Sequence, residues 1–337
     1  MEEPDACWKA ADTEIENFLL DSNTRVRGVS EEGFYYSKET ADEDGKPIIS
    51  YYYRSLSGED ILLYQEEYQG YQSWRMIGAD MILSTSMADG GVKVLKLTPS
   101  GEAVELFRQN AVQLPYIQWA AGRLLTIRNY LWEGGDYENR LVLSDLGTGE
   151  EIIIYQAVMK EEIGKGEDII CAALSDKEVF FAVEALEEES EFWLYIYEIE
   201  KGIIRERVRL GEERPLFAAY EGGKVFLSLT DDYTYLQEAG SIGEIIDGEY
   251  QELSKVPLIS ASNLIRYVAF TKEGFFLAGN ESGYFWDTGN NKVYVYDFTQ
   301  VLQESVSRIW PSEHSFACVV QKGDRLFLRT IVLERED

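Results

Sequence analysis

The sequence has very few of the residues that histidine- or thiol-based enzymes depend on. Among 337 residues there are one histidine, His314, and three cysteines, Cys7, Cys171 and Cys318. One histidine excludes a histidine-centred triad or a multi-histidine metal site within this chain. Three widely spaced cysteines exclude a disulfide framework and a CxxC motif. We therefore expect Cys171 and Cys318, which lie in apolar strand patterns, to be small buried hydrophobes, and His314 to lie in a turn or at the surface.

Positive charge is also scarce, because 31 basic residues stand against 61 acidic ones, for a net charge of −30. Such a surface repels phosphate backbones and anionic lipid, so neither nucleic acid nor membrane is an expected partner. No apolar run approaches the roughly 20 residues of a membrane span. Residues Met1 to Asp5 show no signal peptide, and we expect a soluble chain. A leader removed beforehand would leave the same start, so the compartment stays open.

Familiar motifs for cofactor chemistry are missing as well. The sequence has no Gly-x-Ser-x-Gly elbow, no phosphate loop and no dinucleotide fingerprint. An acidic stretch, Asp42 to Gly45, lacks the spacing and terminal glutamate of an EF-hand and is interpreted as a loop tip. We therefore expect no cofactor and no metal site.

What the sequence does contain is a repeat built on a short apolar triplet. The first residues of successive copies are 47, 43, 55, 46, 50 and 41 positions apart, close to the length of a four-stranded propeller blade. The seven copies are Phe34-Tyr35-Tyr36, Met81-Ile82-Leu83, Leu124-Leu125-Thr126, Val179-Phe180-Phe181, Val225-Phe226-Leu227, Phe275-Phe276-Leu277 and Phe316-Ala317-Cys318.

An apolar stretch precedes most triplets, and an alternating hairpin with a Gly-containing turn follows most of them, as in Lys93 to Gln109. Four strands per repeat predict an all-β fold, a seven-bladed β-propeller with four-stranded antiparallel blades. A six-bladed propeller is the alternative, because Tyr233 to Val256 gives no clear hairpin. We expect one domain over residues 1–337, with residues 1–13 as a flexible lead.

The chain ends predict closure of the propeller. The last repeat lacks a fourth strand, and Ile15 to Leu20 is a spare one that could pair onto Leu326 to Leu333 and remove the open edge. The competing interpretation is an N-terminal helix, since Ile15, Phe18 and Leu19 also fit a period of 3.6 residues.

In its period and strand order the whole chain resembles bacterial β-propeller families of the TolB-like and other six- to eight-bladed kinds. The single Trp286-Asp287 and the unmatched glycine pairs do not fit WD40 or Kelch repeats. The resemblance is to an architecture and transfers no functional residues.

Aromatic residues in predicted loops are the strongest candidates for a binding site. They lie in links between the second and third strands of a blade, which places both groups on one rim of the expected propeller, where exposed aromatics serve recognition. The candidate ligand-binding residues are Tyr130, Trp132, Tyr137, Tyr284, Phe285 and Trp286.

These observations favour a non-enzymatic interaction propeller that recognises a protein or a carbohydrate (glycan) through a loop-bearing rim. No catalytic residue is assigned. The alternative is a carboxylate-dependent propeller enzyme, such as a glycoside hydrolase or lyase, because acids from different blades could meet over a central channel. The identity of the partner and the oligomeric state are not determined by the sequence.

Overall fold

A computed structural model supplies the structure of the chain. It describes residues 8–70, 72–110, 116–132, 135–160, 165–186, 190–211, 213–221, 224–230, 241–246, 249–255, 267–271, 273–279, 281–287, 289–290, 292–312 and 314–334. Nearly all of the regular structure in these residues is β-strand. Within them, no helix is long and apolar enough to cross a bilayer.

The elements alternate along the chain as short strands separated by tight turns, with one short helix near the C-terminus. In chain order they are β1 (Trp8–Ile15), β2 (Thr24–Ser30), β3 (Gly33–Ala41), β4 (Pro47–Ser55), β5 (Asp60–Glu67), β6 (Gln72–Ile77), β7 (Asp80–Ser86), β8 (Val92–Leu97), β9 (Ala103–Gln109), β10 (Tyr116–Ala120), β11 (Arg123–Leu131), β12 (Tyr137–Asp145), β13 (Glu151–Lys160), β14 (Lys165–Leu174), β15 (Glu178–Leu186), β16 (Ser190–Glu198), β17 (Ile203–Gly211), β18 (Arg214–Glu221), β19 (Lys224–Thr230), β20 (Ser241–Ile246), β21 (Glu249–Lys255), β22 (Tyr267–Phe270), β23 (Gly274–Ala278), β24 (Ser282–Asp287), β25 (Lys292–Asp297), α1 (Thr299–Glu304), β26 (Trp310–Pro311), β27 (Ser315–Lys322) and β28 (Arg325–Leu333).

The strands form antiparallel sheets of the all-β propeller class, but the predicted blade count is wrong. Five sheets have four strands: β2–β5, β6–β9, β18–β21, β22–β25, and β26–β28 together with β1. Strands β10 to β17, which the repeat assigned to two separate blades, form one continuous eight-stranded sheet. The structure therefore has five four-stranded blades rather than seven, and the six-bladed alternative is wrong for the same reason.

Each of the seven apolar triplets lies on the strand that follows the first strand of its repeat. These strands are buried on both faces. Successive residues Phe34, Tyr35 and Tyr36 of β3 are all buried, as are Met81, Ile82 and Leu83 of β7. Since strand side chains alternate between faces, a continuous apolar run marks a strand covered on both sides. This two-sided burial explains why the triplet was the clearest signal in the sequence.

The eight-stranded sheet exists because β13 pairs with β14 at its end, where Met159 opposes Gly166 and Lys160 opposes Lys165. Gly166 has φ +145°, and a Cβ placed on it would lie 2.1 Å from the Val158 carbonyl oxygen. No other residue allows the two strands to approach so closely in this conformation. The pattern of apolar residues carries no trace of this contact.

The chain ends do pair, although not through the predicted segment. Strand β1 runs antiparallel to β28, with Trp8 opposite Leu333 and Ile15 opposite Leu326. The predicted strand, Ile15 to Leu20, was placed too late, and the residues from Trp8 onward, expected in a flexible lead, belong to β1. Ile15 is buried while most of β1 is exposed, which explains why the strand lacks a visible apolar alternation.

Charged side chains join β1 to β28. Arg329 donates two hydrogen bonds to the Asp12 carboxylate, at 2.6 and 2.8 Å, and Lys322 Nζ lies 2.7 Å from it. The Arg329 hydrogen bonds lower the pKa of Asp12 from 3.8 to about 2; partial burial opposes the shift and Lys322 assists it. Because alternate positions on β1 carry carboxylates that reach cations on β27 and β28, ionic contacts hold a strand that has few apolar ones.

The chain divides into two compact units, described separately here, so the predicted single domain stays a prediction. The first unit comprises residues up to 89, 93–108 and those from 262 onward, and the second comprises 90–92 and 109–261. Cys318 in the first unit and Cys171 in the second are buried, as predicted, and burial raises the pKa of both thiols to about 12. Cys7 lies outside the described residues.

Asp12→Asn tests the contribution of the ionic contacts to the pairing of the chain ends. We expect the free energy of unfolding to fall by about 1 kcal/mol at pH 7, the upper range for partly exposed pairs. A lowered pKa means that the stabilisation is complete above pH 3.8 and is lost as the pH falls towards 2, so wild type and variant should converge there. Urea unfolding of wild type and Asp12→Asn at pH 7 and pH 2 measures the loss of stability and its pH dependence. Glu14→Gln is the control. It loses only an exposed contact with Arg325 at 3.4 Å, so its free energy of unfolding should change little. A constant difference between wild type and Asp12→Asn at both pH values would contradict the assignment.

Gly166→Ala tests the contact that joins β13 to β14. The added Cβ meets the Val158 carbonyl, so we expect a loss of about 1–3 kcal/mol and faster amide hydrogen exchange at Met159 and Lys160. Gly149→Ala is the control, because Gly149 has φ +75° but an added Cβ would meet nothing within 4 Å. Unchanged exchange at Met159 and Lys160 in Gly166→Ala would show that the pairing does not depend on this glycine.

Candidate functional site

Three of the six predicted aromatic residues lie together at the open end of the β11–β12 hairpin, in the second unit. Tyr130 precedes Leu131, the last residue of β11, and Tyr137 begins β12 directly opposite Leu131. Trp132 follows, and its backbone N–H donates to the Asp136 carbonyl at 2.9 Å. The Gly135 N–H donates back to the Trp132 carbonyl at 3.1 Å, which makes a tight turn. Residues 133 and 134 lie outside the described residues.

Polar contacts hold these three aromatics in fixed positions. Trp132 Nε1 donates to Glu138 Oε2 at 3.1 Å, and Arg140 Nε donates to Glu138 Oε1. The Arg140 guanidinium also lies 4.4 Å from the centre of the Tyr130 ring, within the range of a cation–π interaction. Glu138 is buried, so its charge is compensated by two donors rather than by water.

The opposite face of the hairpin is held by asparagines. Asn129 and Asn139 are cross-strand partners, both buried, and Tyr137 Oη donates to Asn129 Oδ1. Asn139 Nδ2 donates to Asp168 Oδ1, and the Ile169 N–H donates to Asn139 Oδ1 at 3.3 Å. One side chain on β12 therefore binds β14 directly. Buried, fully hydrogen-bonded amides of this kind specify a single arrangement of strands.

The end of the hairpin exposes large apolar side chains above this polar base. Leu131 is 57% exposed, Trp132 is 51% exposed and Val158 of β13 is 37% exposed. Val158 lies opposite Glu138, the residue to which the Trp132 indole is bound. Leu131 pairs with Tyr137 and lies on the other face of the hairpin, whereas Trp132 and Val158 share the Glu138 face. We call Trp132 and Val158 the tip surface. It presents an anchored but half-exposed tryptophan, the residue type most enriched at the centres of binding interfaces.

The other three predicted residues do not lie in a loop. Tyr284, Phe285 and Trp286 form the middle of β24 in the first unit and are buried, with Trp286 fully so. The link before them is short, because the Gly279 N–H donates to the Ser282 carbonyl at 3.0 Å. Their prediction as exposed rim aromatics is therefore wrong in its placement. The run of three aromatics reflects a strand buried on both faces.

Phe285 nevertheless lines a cavity of about 320 Å³ in the first unit. The single histidine, His314, lies at the same cavity, exposed in the turn between β26 and β27 as predicted. The cavity is lined by polar Thr271 and Glu273 together with apolar Phe276 and Leu333. The size is at the lower limit for ligand pockets, and the buried aromatics serve the core beneath it.

A pair of carboxylates in the second unit was not predicted from the sequence. Asp168 of β14 and Glu184 of β15 are directly opposed in register, which places their Cβ atoms about 4.5–5.5 Å apart. Burial raises the pKa of Asp168; the Asn139 hydrogen bond opposes this, the negative charge of Glu184 adds to it, and Arg214 opposes it. A signal was present for Glu184, which interrupts the apolar run of β15, whereas Asp168 follows the charged start of β14.

Comparisons with known proteins establish the fold. No protein-family model matches the chain, and no curated protein matches its sequence. The chain is similar over 94% of its length, and 97% of the other chain, to the β-propeller domain of the Trilobed protease from Pyrococcus furiosus, with 11% identity and a TM-score of 0.54. It is similar over 93% of its length to the acylaminoacyl peptidase from Pyrococcus horikoshii, with 12% identity and a TM-score of 0.52, and spans 52% of that peptidase.

At such low identity these similarities show the fold alone, an all-β propeller. They transfer no activity and no site residue to this chain. The TolB-like resemblance and a bacterial origin stay predictions. Among the described residues, no group of three or more histidine, cysteine or acidic side chains is placed to hold a metal ion.

Asp168→Asn tests whether the opposed carboxylates cost stability. A raised pKa means that the charged form is disfavoured in the folded state, so wild-type stability should fall as the pH rises above 3.8. We expect Asp168→Asn to be more stable than wild type at pH 7 and to lose this part of the pH dependence, since asparagine still accepts the Asn139 hydrogen bond.

Glu167→Gln is the matched control on the neighbouring residue. The Glu167 carboxylate accepts a hydrogen bond from Tyr155 Oη at 2.7 Å, and its loss should leave stability unchanged or lower. Thermal unfolding between pH 4 and pH 8 compares the three proteins. A less stable Asp168→Asn at pH 7 would show that the Asp168 charge is compensated in the folded state.

Proposed function

We propose that this propeller is a non-enzymatic interaction protein that binds a partner protein through the tip surface. The observation that carries the proposal is the half-exposed Trp132, whose indole is fixed by Glu138 while its ring faces solvent. A side chain that is already immobilised loses little conformational entropy on binding. Val158 extends the apolar area on the same face of the hairpin, and Leu131 is exposed on the other face.

The negative charge of the chain favours a partner with a basic surface. With a net charge of −30, the protein attracts basic surfaces over long range and repels acidic ones. The partner that fits best has an apolar pocket for Trp132 with lysine or arginine residues around it. A carbohydrate partner would also use an exposed tryptophan, but it would gain nothing from the acidic surroundings.

A carboxylate-dependent enzyme, such as a glycoside hydrolase or lyase, is the second candidate. It is favoured by one observation, the opposed Asp168 and Glu184 with the pKa of Asp168 raised. Release of sugar from a panel of polysaccharides, abolished in both Asp168→Asn and Glu184→Gln, would support it. No release from any of them would leave the pair a structural feature.

Trp132→Ala tests the tip surface. Proteins captured on wild type are compared with those captured on Trp132→Ala and on Ile153→Ser, a control whose residue is equally exposed, at 52%, but lies outside the tip surface. We expect one protein to be retained by wild type and control and lost with Trp132→Ala. Calorimetry with that purified protein should then show binding weakened at least about tenfold, and a wild-type affinity that falls as NaCl increases.

The proposal fails if the purified partner binds Trp132→Ala and wild type equally while circular dichroism shows both folded. It also fails if wild type binds glycans on an array and Trp132→Ala does not, because the tip surface would then recognise carbohydrate rather than protein.

A further inference from the structure

Positive charge collects on the first strands of the first unit, against the composition of the whole chain. Strands β2, β6, β22 and β26 carry Arg25, Arg27 and Arg75 but no aspartate or glutamate, and Arg308 lies two residues before β26. In a chain with twice as many acidic as basic residues these four strands by themselves carry positive charge, while Glu39 acts on Arg27 and Glu66 on Tyr51 from neighbouring strands. A local positive region in an acidic protein concentrates anions that the rest of the surface repels.

Arg27 occupies a special backbone position. On β2, Val26 opposes Tyr36 and Gly28 opposes Tyr35, so Arg27 is the extra residue of a β-bulge and has no partner on β3. Bulges re-aim a side chain and are enriched beside functional sites. Gly28 lets β2 lie against β6, since a Cβ there would be 2.3 Å from Met76 Sδ.

The same bulge recurs elsewhere without a charge. On β14 the extra residue is Ile170, and on β18 it is Leu216. The fold therefore accepts an aliphatic residue at this position, and the bulge does not explain why β2 has an arginine.

Contacts of Arg27 leave much of its hydrogen-bonding capacity unused. Its Nε donates to Ser37 Oγ at 2.7 Å, and its guanidinium carbon lies 4.0 Å from the centre of the Trp74 ring. Arg308 approaches the same ring at 5.9 Å. Among the described residues no carboxylate lies within 4 Å of the Arg27 guanidinium, although burial lowers its pKa, with Glu39 and Tyr51 opposing at longer range.

Other buried arginines of the protein show what a purely structural role requires. Arg54 pairs with Asp60 at 2.6 Å and donates to the Glu16 carbonyl at 2.6 Å, and Arg128 binds Glu151 through both terminal nitrogens. Each has a carboxylate partner supplied by the chain, as a desolvated guanidinium needs. Arg27 is desolvated but has no such carboxylate partner among the described residues.

Unsatisfied donors surround this arginine. Gln72 Nε2, Trp74 Nε1 and Tyr51 Oη are buried and have no hydrogen-bond partner. Tyr51 is fully buried; burial raises its pKa, the negative charge of Glu66 adds to the rise, and Arg27 and the neighbouring Gln72 amide oppose it. Unsatisfied buried donors cost about 1–3 kcal/mol each, and the three share a need for an acceptor.

We propose that Arg27, Gln72, Trp74 and Tyr51 form a binding site for a small oxyanion, a phosphate or carboxylate group that is free or carried by a larger molecule. Arg27 supplies the charge and a planar pair of donors, the geometry that carboxylate and phosphate oxygens match. Gln72 and Tyr51 supply neutral donors, and Trp74 holds the guanidinium plane. Arg308 and Arg25 add longer-range attraction. The site lies in the first unit and is independent of the tip surface.

Calorimetric titration of the full chain with inorganic phosphate and, separately, with citrate tests the site, with NaCl at matched ionic strength to account for screening of the net charge. We expect saturable binding of at least one anion in the millimolar range and none of chloride. Arg27→Ile, which installs the residue found at the equivalent bulge of β14, should weaken binding at least about tenfold. Arg108→Gln, an exposed arginine paired with Glu105 on β9, should bind as wild type does.

Gln72→Met supplies a readout that does not depend on the arginine. Removal of a buried donor without a partner should raise the melting temperature in the absence of anion and lower the affinity for it, two opposite effects that a structural role would not produce. Phosphate preferred over citrate would indicate a phosphate ligand, and the reverse a carboxylate. Absence of saturable binding to wild type, or equal affinity in Arg27→Ile or Gln72→Met, would overturn the proposal.

Discussion

The burial of one strand of each repeat on both faces is the constraint on which the rest of the structure depends. The second strand of each repeat, such as β7 with Met81, Ile82 and Leu83, must be covered from two sides by neighbouring sheets. A single sheet cannot cover a strand on both of its faces, so the sheets have to stack. Apolar clusters accordingly span neighbouring sheets, as between the β2–β5 and β6–β9 sheets in the first unit. The remaining strands can then be short, exposed and rich in acidic residues without loss of the core.

Polar side chains determine the strand pairing that apolar packing alone does not specify. Dispersion and the hydrophobic effect do not fix strand order by themselves, because they lack direction. Asn139 links β12 to β14 by hydrogen bonds, and Asp12 links β1 to Arg329 of β28. The contact of Asp12 joins a strand that has few apolar contacts of its own. The two proposed sites also depend on directional contacts. Glu138 fixes the Trp132 indole, and the bulge at Arg27 directs a guanidinium onto Trp74.

Prediction from the sequence succeeded where the signal was local. The triplets depend on continuous apolar runs and the hairpin turn before Ala103 on glycine at a turn, and both are properties of neighbouring residues. The end of the β11–β12 hairpin was found for the same reason. Tyr284, Phe285 and Trp286 were misplaced because an aromatic run is compatible with an exposed loop or with a strand buried twice, and only the neighbouring sheets distinguish them.

The sequence alone determined the strand content, the repeat, the single histidine, the three widely spaced cysteines and the net charge of −30. Only the tertiary structure decided that β13 pairs with β14, that β1 begins at Trp8 and that Asp168 faces Glu184. It also brought Arg27, Gln72 and Trp74 together from two strands far apart in the chain. The physical reason is that alternation specifies which face a side chain takes, whereas register and neighbours are set by energies of contacts between distant residues.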